Sequence, residues 1–262
     1  MLALISIRSV SLPRFRAIFR VLAAAAVVFT TSVAEAQPAA PDGLRPDTLS
    51  PGTLRPDTMA ARVAACTACH GAQGRAGTDG YYPRLAGKPQ DYLYHQLLNF
   101  RDERRQYRPM SHLLVGLPDD YLREMAQYFS QQHVPYPPPT RADVSSATLE
   151  AGRVLALQGD AARGLPACAS CHGAALGGLM PAIPGLLGLP RDYIGSQIGS
   201  WKNGLRRAAA PDCMADIAQK LTPTDIGALA AWLSSQPVIE PYVPDAAGSL
   251  TLPAQCGSQA QR

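Results

Sequence analysis

Leu93, Leu97 and Phe100 stand at i, i+4 and i+7, and Ile194, Ile198 and Trp201 repeat the stripe later in the chain. That spacing places three apolar side chains on one helical face, so it predicts an amphipathic helix in each half with that face buried. A second pair of stripes predicts a closing helix in each half: Leu122, Met125, Ala126 and Phe129, matched by Ile226, Leu229, Ala230 and Leu233. The later helix is expected to start with Thr222 as N-cap, Pro223 at the first helical position and Asp225 in the first turn. No stretch alternates with period two between hairpin turns, so both halves are expected to be all-α.

The halves are copies of one another. Pro83, Leu85, Gly87, Pro89, Asp91 and Tyr92 match Pro184, Leu186, Gly188, Pro190, Asp192 and Tyr193 at a constant offset of 101. Composition marks the boundaries around them. Arg8, Arg14, Arg16 and Arg20 precede an apolar run from Val21 to Val33, and Ala34-Glu35-Ala36 offers the small residues of a cleavage site. The run is shorter than the roughly 20 apolar residues that span a bilayer, so residues 1–36 read as a cleaved secretory signal and the mature chain as periplasmic, not membrane-spanning. Residues 37–57 hold the echo Leu44-Arg45-Pro46-Asp47-Thr48 and Leu54-Arg55-Pro56-Asp57-Thr58, a proline-rich leader. Pro135, Pro137, Pro138 and Pro139 make 135–147 an extended linker. Two domains are left, 58–134 and 148–237, followed by a polar tail, 238–262. The signal holds four of the 24 basic residues and one of the 20 acidic ones, so the net charge of +4 belongs mostly to it. A near-neutral mature surface argues against a nucleic-acid partner.

The chemistry lies in a second repeat. Cys66, Cys69 and His70 reappear as Cys168, Cys171 and His172, each followed by glycine. Two thiols three apart on a helical turn share a face and reach the two vinyl groups of one porphyrin, while the adjacent imidazole reaches the iron. A lone Cys-x-x-Cys also reads as a redox dithiol or half a zinc site, but the histidine directly after it, twice over, points to two covalently bound haem c groups. A haem at the centre of each small domain also supplies apolar area that the side chains lack. For the second axial position, Met110 precedes Leu117 by the same seven residues by which Met214 precedes Leu221. Identical sulfur chemistry at equivalent places makes Met110 and Met214 the expected distal ligands rather than gap-filling side chains. Met180 lies on a Gly- and Pro-rich stretch of the proximal side. His95 aligns with Ser196 and His112 with Asp216, which disfavours both as ligands, as the symmetry also does His133; Met125 belongs to an apolar stripe.

Over residues 58–237 this pattern resembles cytochrome c4-type dihaem cytochromes, a tandem pair of class I cytochrome c domains. The resemblance rests on Gly164-Leu165-Pro166-Ala167-Cys168, the Pro-x-Leu-x-Gly segments and Met214-Ala215-Asp216-Ile217-Ala218 followed by Leu221. It implies His70 and His172 as proximal ligands, Met110 and Met214 as distal ones, and the carbonyls of Pro83 and Pro184 as acceptors from the proximal imidazoles. It also implies a haem pair close together across the domain interface. The function it implies is electron carriage without catalysis. The donor would be a cytochrome bc complex or a dehydrogenase and the acceptor a terminal oxidase, each docked transiently. The alternatives are a cytochrome subunit of a periplasmic dehydrogenase complex, or a dihaem enzyme of the thiosulfate dehydrogenase or peroxidase type. Cys213 and Cys256 depart from the pattern. In an oxidising compartment they suggest a disulfide, while a thiolate at Cys213 competing with Met214 for iron would suit the enzyme. Arg101, Arg104, Arg105 and Arg108, with Arg206 and Arg207, read either as a solvated helix end or as a site for propionates or an acidic partner.

Overall fold

The computed structural model describes residues 57–77 and 79–259, which lie in one compact unit, Leu54–Arg262. The expected signal, and the leader up to Pro56, lie outside the described residues. The first half contains α1 (Met59–Arg62), α2 (Ala64–His70), α3 (Gln90–Arg101), α4 (Arg108–Leu114) and α5 (Asp119–Ser130). The second contains α6 (Ser146–Leu157), α7 (Ala169–His172), α8 (Arg191–Lys202), α9 (Cys213–Lys220) and α10 (Pro223–Ser235). Both halves are helical, as their periodicity predicts. The described residues add two short 3-10 turns, Ala72–Gly74 and Ala161–Arg163, and a two-residue antiparallel ladder between β1 (Gly178–Leu179) and β2 (Ile183–Pro184), too short to leave a period-two signature.

The stripes face inward. Leu93, Phe100, Leu122, Met125, Ala126 and Phe129 are buried together where α3 packs on α5. Ile194, Ile198, Leu229, Ala230 and Leu233 form the equivalent core between α8 and α10. Thr222 caps α10 as expected, and a full capping box forms with Asp225. Helix α6 crosses α10 closely because position 152 has no side chain: a Cβ on Gly152 would stand 2.2 Å from the Ala228 carbonyl oxygen. Ser145 caps α6 by accepting from the Thr148 N–H at 3.1 Å.

The described part of the tail, residues 238–259, docks as a strap. The Asp245 N–H donates to the Gly178 carbonyl at 2.9 Å, and Met180 N–H donates to the Asp245 carbonyl at the same distance. Tyr242 stacks on Tyr136 of the linker at 5.1 Å, and Arg84 lies over the Tyr136 ring at 3.9 Å. A disulfide between Cys213 and Cys256 ties the end of the strap to the first residue of α9. Among the described residues no helix is long and apolar enough to cross a membrane.

Candidate functional site

Each Cys-x-x-Cys-His motif is a helical turn ending at a buried imidazole. His70 closes α2 and His172 closes α7, with 6% and 9% of their surfaces exposed. His70 Nδ1 is 2.8 Å from the Pro83 carbonyl oxygen, and His172 Nδ1 is 2.7 Å from that of Pro184. A carbonyl only accepts, so Nδ1 carries the proton and Nε2 keeps its lone pair. Burial pushes both imidazoles below their ordinary pKa, against the opposing effect of the carbonyls; the charges of Arg105 on His70 and of Lys88 on His172 add to the depression. The chain turns back directly after each histidine, through Gly71 at φ 72° and Gly173 at φ 91°. A Cβ at either would stand 2.5 Å from a backbone oxygen, which explains the glycine after each motif.

None of the four motif cysteines is in a disulfide. Burial pushes Cys66, Cys168 and Cys171 up, Cys168 to about 11. A reactive redox dithiol needs the opposite shift. Among the described residues no three His, Cys, Asp or Glu side chains converge as a metal cluster. Two unoxidised thiols on a helical turn beside an imidazole with a free Nε2 fit haem c. So does Trp201, whose buried indole N–H has no acceptor among the described residues.

Met110 and Met214 lie in equivalent short helices, α4 and α9, both half-buried. Arg101 donates to the Leu117 carbonyl at 3.0 Å, and Lys202, its counterpart at the offset of 101, donates to the Leu221 carbonyl at 2.8 Å. Lys202 also reaches the carbonyls of Ala218 and Gln219, so one cation from the preceding long helix caps α9. At its other end, Asp212 accepts from Ala215 N–H at 3.1 Å. In the first half, rings step from His70 to Tyr82 (6.1 Å), Tyr81 (5.0 Å) and Tyr107 (6.1 Å), the last being the N-cap of α4. Met180 lies beyond β1 and is 38% exposed. His112 and His133 are exposed. His95 lines a cavity with Gly257 and Ser258 of the strap, and its Nδ1 is buried without a hydrogen-bond partner among the described residues. Cys213, bonded to Cys256, has no thiolate to offer a metal.

The arginine run divides. Arg101 pairs with Asp119 at 2.6 Å and Arg104 with Asp102 at 2.9 Å, as a solvated helix end does. Arg105 and Arg206 are instead buried where the two halves meet, and they face each other across an antiparallel bridge. Gln106 N–H donates to Leu205 O and Arg207 N–H to Arg104 O, both at 2.7 Å. Arg105 donates to Gln96 Oε1 (2.9 Å), Gln197 Oε1 (2.6 Å) and the Tyr193 hydroxyl (3.3 Å). Arg206 mirrors this with Gln197 (2.9 Å), Gln96 (3.0 Å) and Tyr92 (3.3 Å). Each guanidinium also covers an aromatic ring, Phe100 at 4.5 Å and Trp201 at 3.7 Å. Every member has its partner at an offset of 101. The offset that relates Tyr92 to Tyr193 also relates Gln96 to Gln197, so the register itself carries the signal for the glutamines.

A family model described as cytochrome c oxidase, cbb3-type, subunit III, matches residues 161–233. A thiosulfate dehydrogenase electron acceptor of Thiomonas intermedia is 38% identical over 178 residues, 67% of this chain and 80% of the relative. Cytochrome c4 of Pseudomonas aeruginosa is 32% identical over 176 residues, 66% and 84% respectively. The crystal structure of reduced recombinant cytochrome c4 from Pseudomonas stutzeri superposes with a TM-score of 0.57 at 28% identity, covering 68% of this chain and 96% of that one.

Proposed function

The chain belongs to the cytochrome c4 family of dihaem c-type cytochromes, carries two covalently bound haem c groups and transfers electrons, and we propose that it does so as a periplasmic relay in which His70 with Met110, and His172 with Met214, are the axial pairs. When bound, each haem supplies a one-electron iron couple. The chain attaches, orients and buries it. Cys66 and Cys69 hold one porphyrin through thioethers, and Cys168 and Cys171 hold the other. The Nδ1–H bonds to Pro83 and Pro184 fix the plane and basicity of each imidazole. Met110 on α4 and Met214 on α9 would supply a thioether to each iron; Lys202 caps α9, and Arg101 holds the Leu117 carbonyl in the loop after α4. With an imidazole and a thioether on each iron, neither haem would have a position open to a reactant.

The observation that carries this reading is the duplicate proton inventory at the histidines: both Nδ1 atoms are committed to a carbonyl and both Nε2 atoms are left to ligate. The ferric absorption spectrum tests it. Two methionine-ligated haems give the weak long-wavelength sulfur-to-iron band at twofold intensity, and Met214→Ala removes one equivalent while leaving the helical circular dichroism in place. A single band in the unmodified protein, or an unchanged spectrum in the variant, overturns the ligand set.

The Thiomonas relative bears the name of an acceptor for thiosulfate dehydrogenase, and that name supports a second reading in which the donor is a periplasmic dehydrogenase rather than a cytochrome bc complex. Co-purification with a large catalytic subunit separates a dedicated subunit from a free carrier that passes electrons to a terminal oxidase. The thiolate-ligated enzyme reading loses its sulfur ligand, since Cys213 is bonded to Cys256.

A further inference from the structure

The strap meets the second half at two places that bear on one haem. The first is the loop between His172 and Pro184. Asp245 Oδ2 accepts from the Ala174 N–H at 2.9 Å, just beyond His172. The Asp245 backbone pairs with Gly178 and Met180 at 2.9 Å each, which adds the strap to the β1 edge. Asp245 is half-buried and has no ion-pair partner among the described residues, so its carboxylate serves that amide. Tyr242 presses on the same loop: a Cβ on Gly185 would stand 2.4 Å from its hydroxyl oxygen. The first half touches this loop too, where Asp91 N–H, three residues beyond Lys88, donates to the Pro181 carbonyl at 3.2 Å.

The second place is the start of α9. Cys256 is bonded to Cys213, the residue before Met214, and the Gly257 N–H donates to the Pro211 carbonyl at 2.9 Å. A Cβ on Gly257 would stand 2.2 Å from the Ala210 carbonyl oxygen, so the strap backbone lies directly on the chain that enters α9. Neither tie exists in the first half. Among the described residues, 71–77 hydrogen-bond only with one another, His70, Leu85 and Ala86. Helix α4, which bears Met110, has no side-chain cap at its start; the Ser111 hydroxyl holds it to the Phe100 carbonyl at 2.9 Å.

We propose that Asp245 and Cys256 are positioning residues for the second haem: they make the strap a clamp that joins the loop holding His172 to the helix bearing Met214, and so close the second iron to added ligands while the first stays exchangeable. The proposal rests on the axial pairs assigned above. An external ligand enters a six-coordinate haem only after the methionine swings out, and that step is a local opening of the helix that carries it. In the first half the opening breaks contacts within that half. In the second it must also release a segment fixed at both ends. A tether restrains only while both anchors hold, so losing either one frees α9.

Excess imidazole added to the ferric holoprotein tests this, with loss of the sulfur-to-iron bands followed in time. Two phases of equal amplitude are expected, and Met110→Ala leaves only the slow one. The Cys213→Ser, Cys256→Ser double variant, which leaves no free thiol beside Met214, speeds the slow phase by at least about tenfold and keeps the fast phase in place. Asp245→Ala speeds it by about tenfold. Asp245→Asn, which keeps an acceptor oxygen for Ala174, retains the unmodified rate. Each variant shows two bands and the unmodified helical circular dichroism before imidazole is added. A single phase in the unmodified protein, or a slow phase that neither variant changes, refutes the clamp while the ligand reading stands. Acceleration in the cysteine variant alone overturns the two-ended clamp. An unmodified protein without two sulfur bands overturns the ligand reading, and the clamp with it.

Discussion

Lys202 shows how much one side chain contributes to positioning. Its ammonium sits on three carbonyls at the end of α9 at 3.1, 3.2 and 2.8 Å, which the sequence spacing of Met214 and Leu221 does not reveal. Hydrogen bonds from a charged donor contribute about 1.5–3 kcal/mol each when strong, less when partly solvated. Lys202→Met is therefore expected to destabilise the protein by about 2 kcal/mol in urea titration and to weaken one of the two sulfur bands at moderate denaturant. If the bands respond equally, Lys202 has no special hold on the second domain. The division among the arginines is also invisible residue by residue. Arg101, Arg104 and Arg105 are near neighbours with the same chemistry, yet only the last is buried, because it alone faces the opposite half.

Helix α10 was legible from its first residues. Thr222, Pro223 and Asp225 form the start predicted for them, and Asp225 also receives Arg163 at 2.6 Å. Burial pushes the Asp225 carboxyl up, but the bonds from Arg163 and Thr222 outweigh it and hold the pKa below the usual aspartate value. A depressed carboxylate adds stability that is complete above the unfolded pKa, near 4, and is lost as pH falls through the lower folded value. Asp225→Asn should then cost about 1 kcal/mol at pH 7, with the gap from the unmodified protein narrowing below pH 4. An equal gap at both pH values would assign the cost to packing instead of charge. Helix α6 was not singled out in the sequence. Its inward positions include Gly152 and Ala156, which carry almost no hydrophobic signal, and its place comes from the close approach to α10.

The whole molecule is closed by the strap. Residues 238–259 pass the linker at Tyr136, pair with the β1 edge through Asp245 and end at Cys256, bonded to Cys213 across a separation of 43 residues. Closing a loop of that length restricts the unfolded chain, and such bonds typically contribute about 2–4 kcal/mol. Cys256→Ser is expected to lower the thermal midpoint and to open the strap to limited proteolysis, while both haems remain attached. Unchanged digestion would mean that Asp245 and Tyr242 hold the strap without the sulfur bond. Length, composition and a polar surface marked this segment as a tail; its docking depends on single contacts with loops that are distant in sequence.

The two Cys-x-x-Cys-His motifs, the helix stripes and the tandem repeat could all be read from the letters, because each depends on neighbours within one or two turns or on a copy at a fixed offset. The folded chain alone disclosed what depends on the meeting of the two halves: Lys88, Arg105 and Arg206 buried without a carboxylate partner among the described residues, the Lys88 segment lying against the loop that holds His172, and a strap locked to the helix that bears Met214. The reason is physical. Periodicity and motif spacing encode local geometry, whereas the burial of a charge is a property of everything that surrounds it.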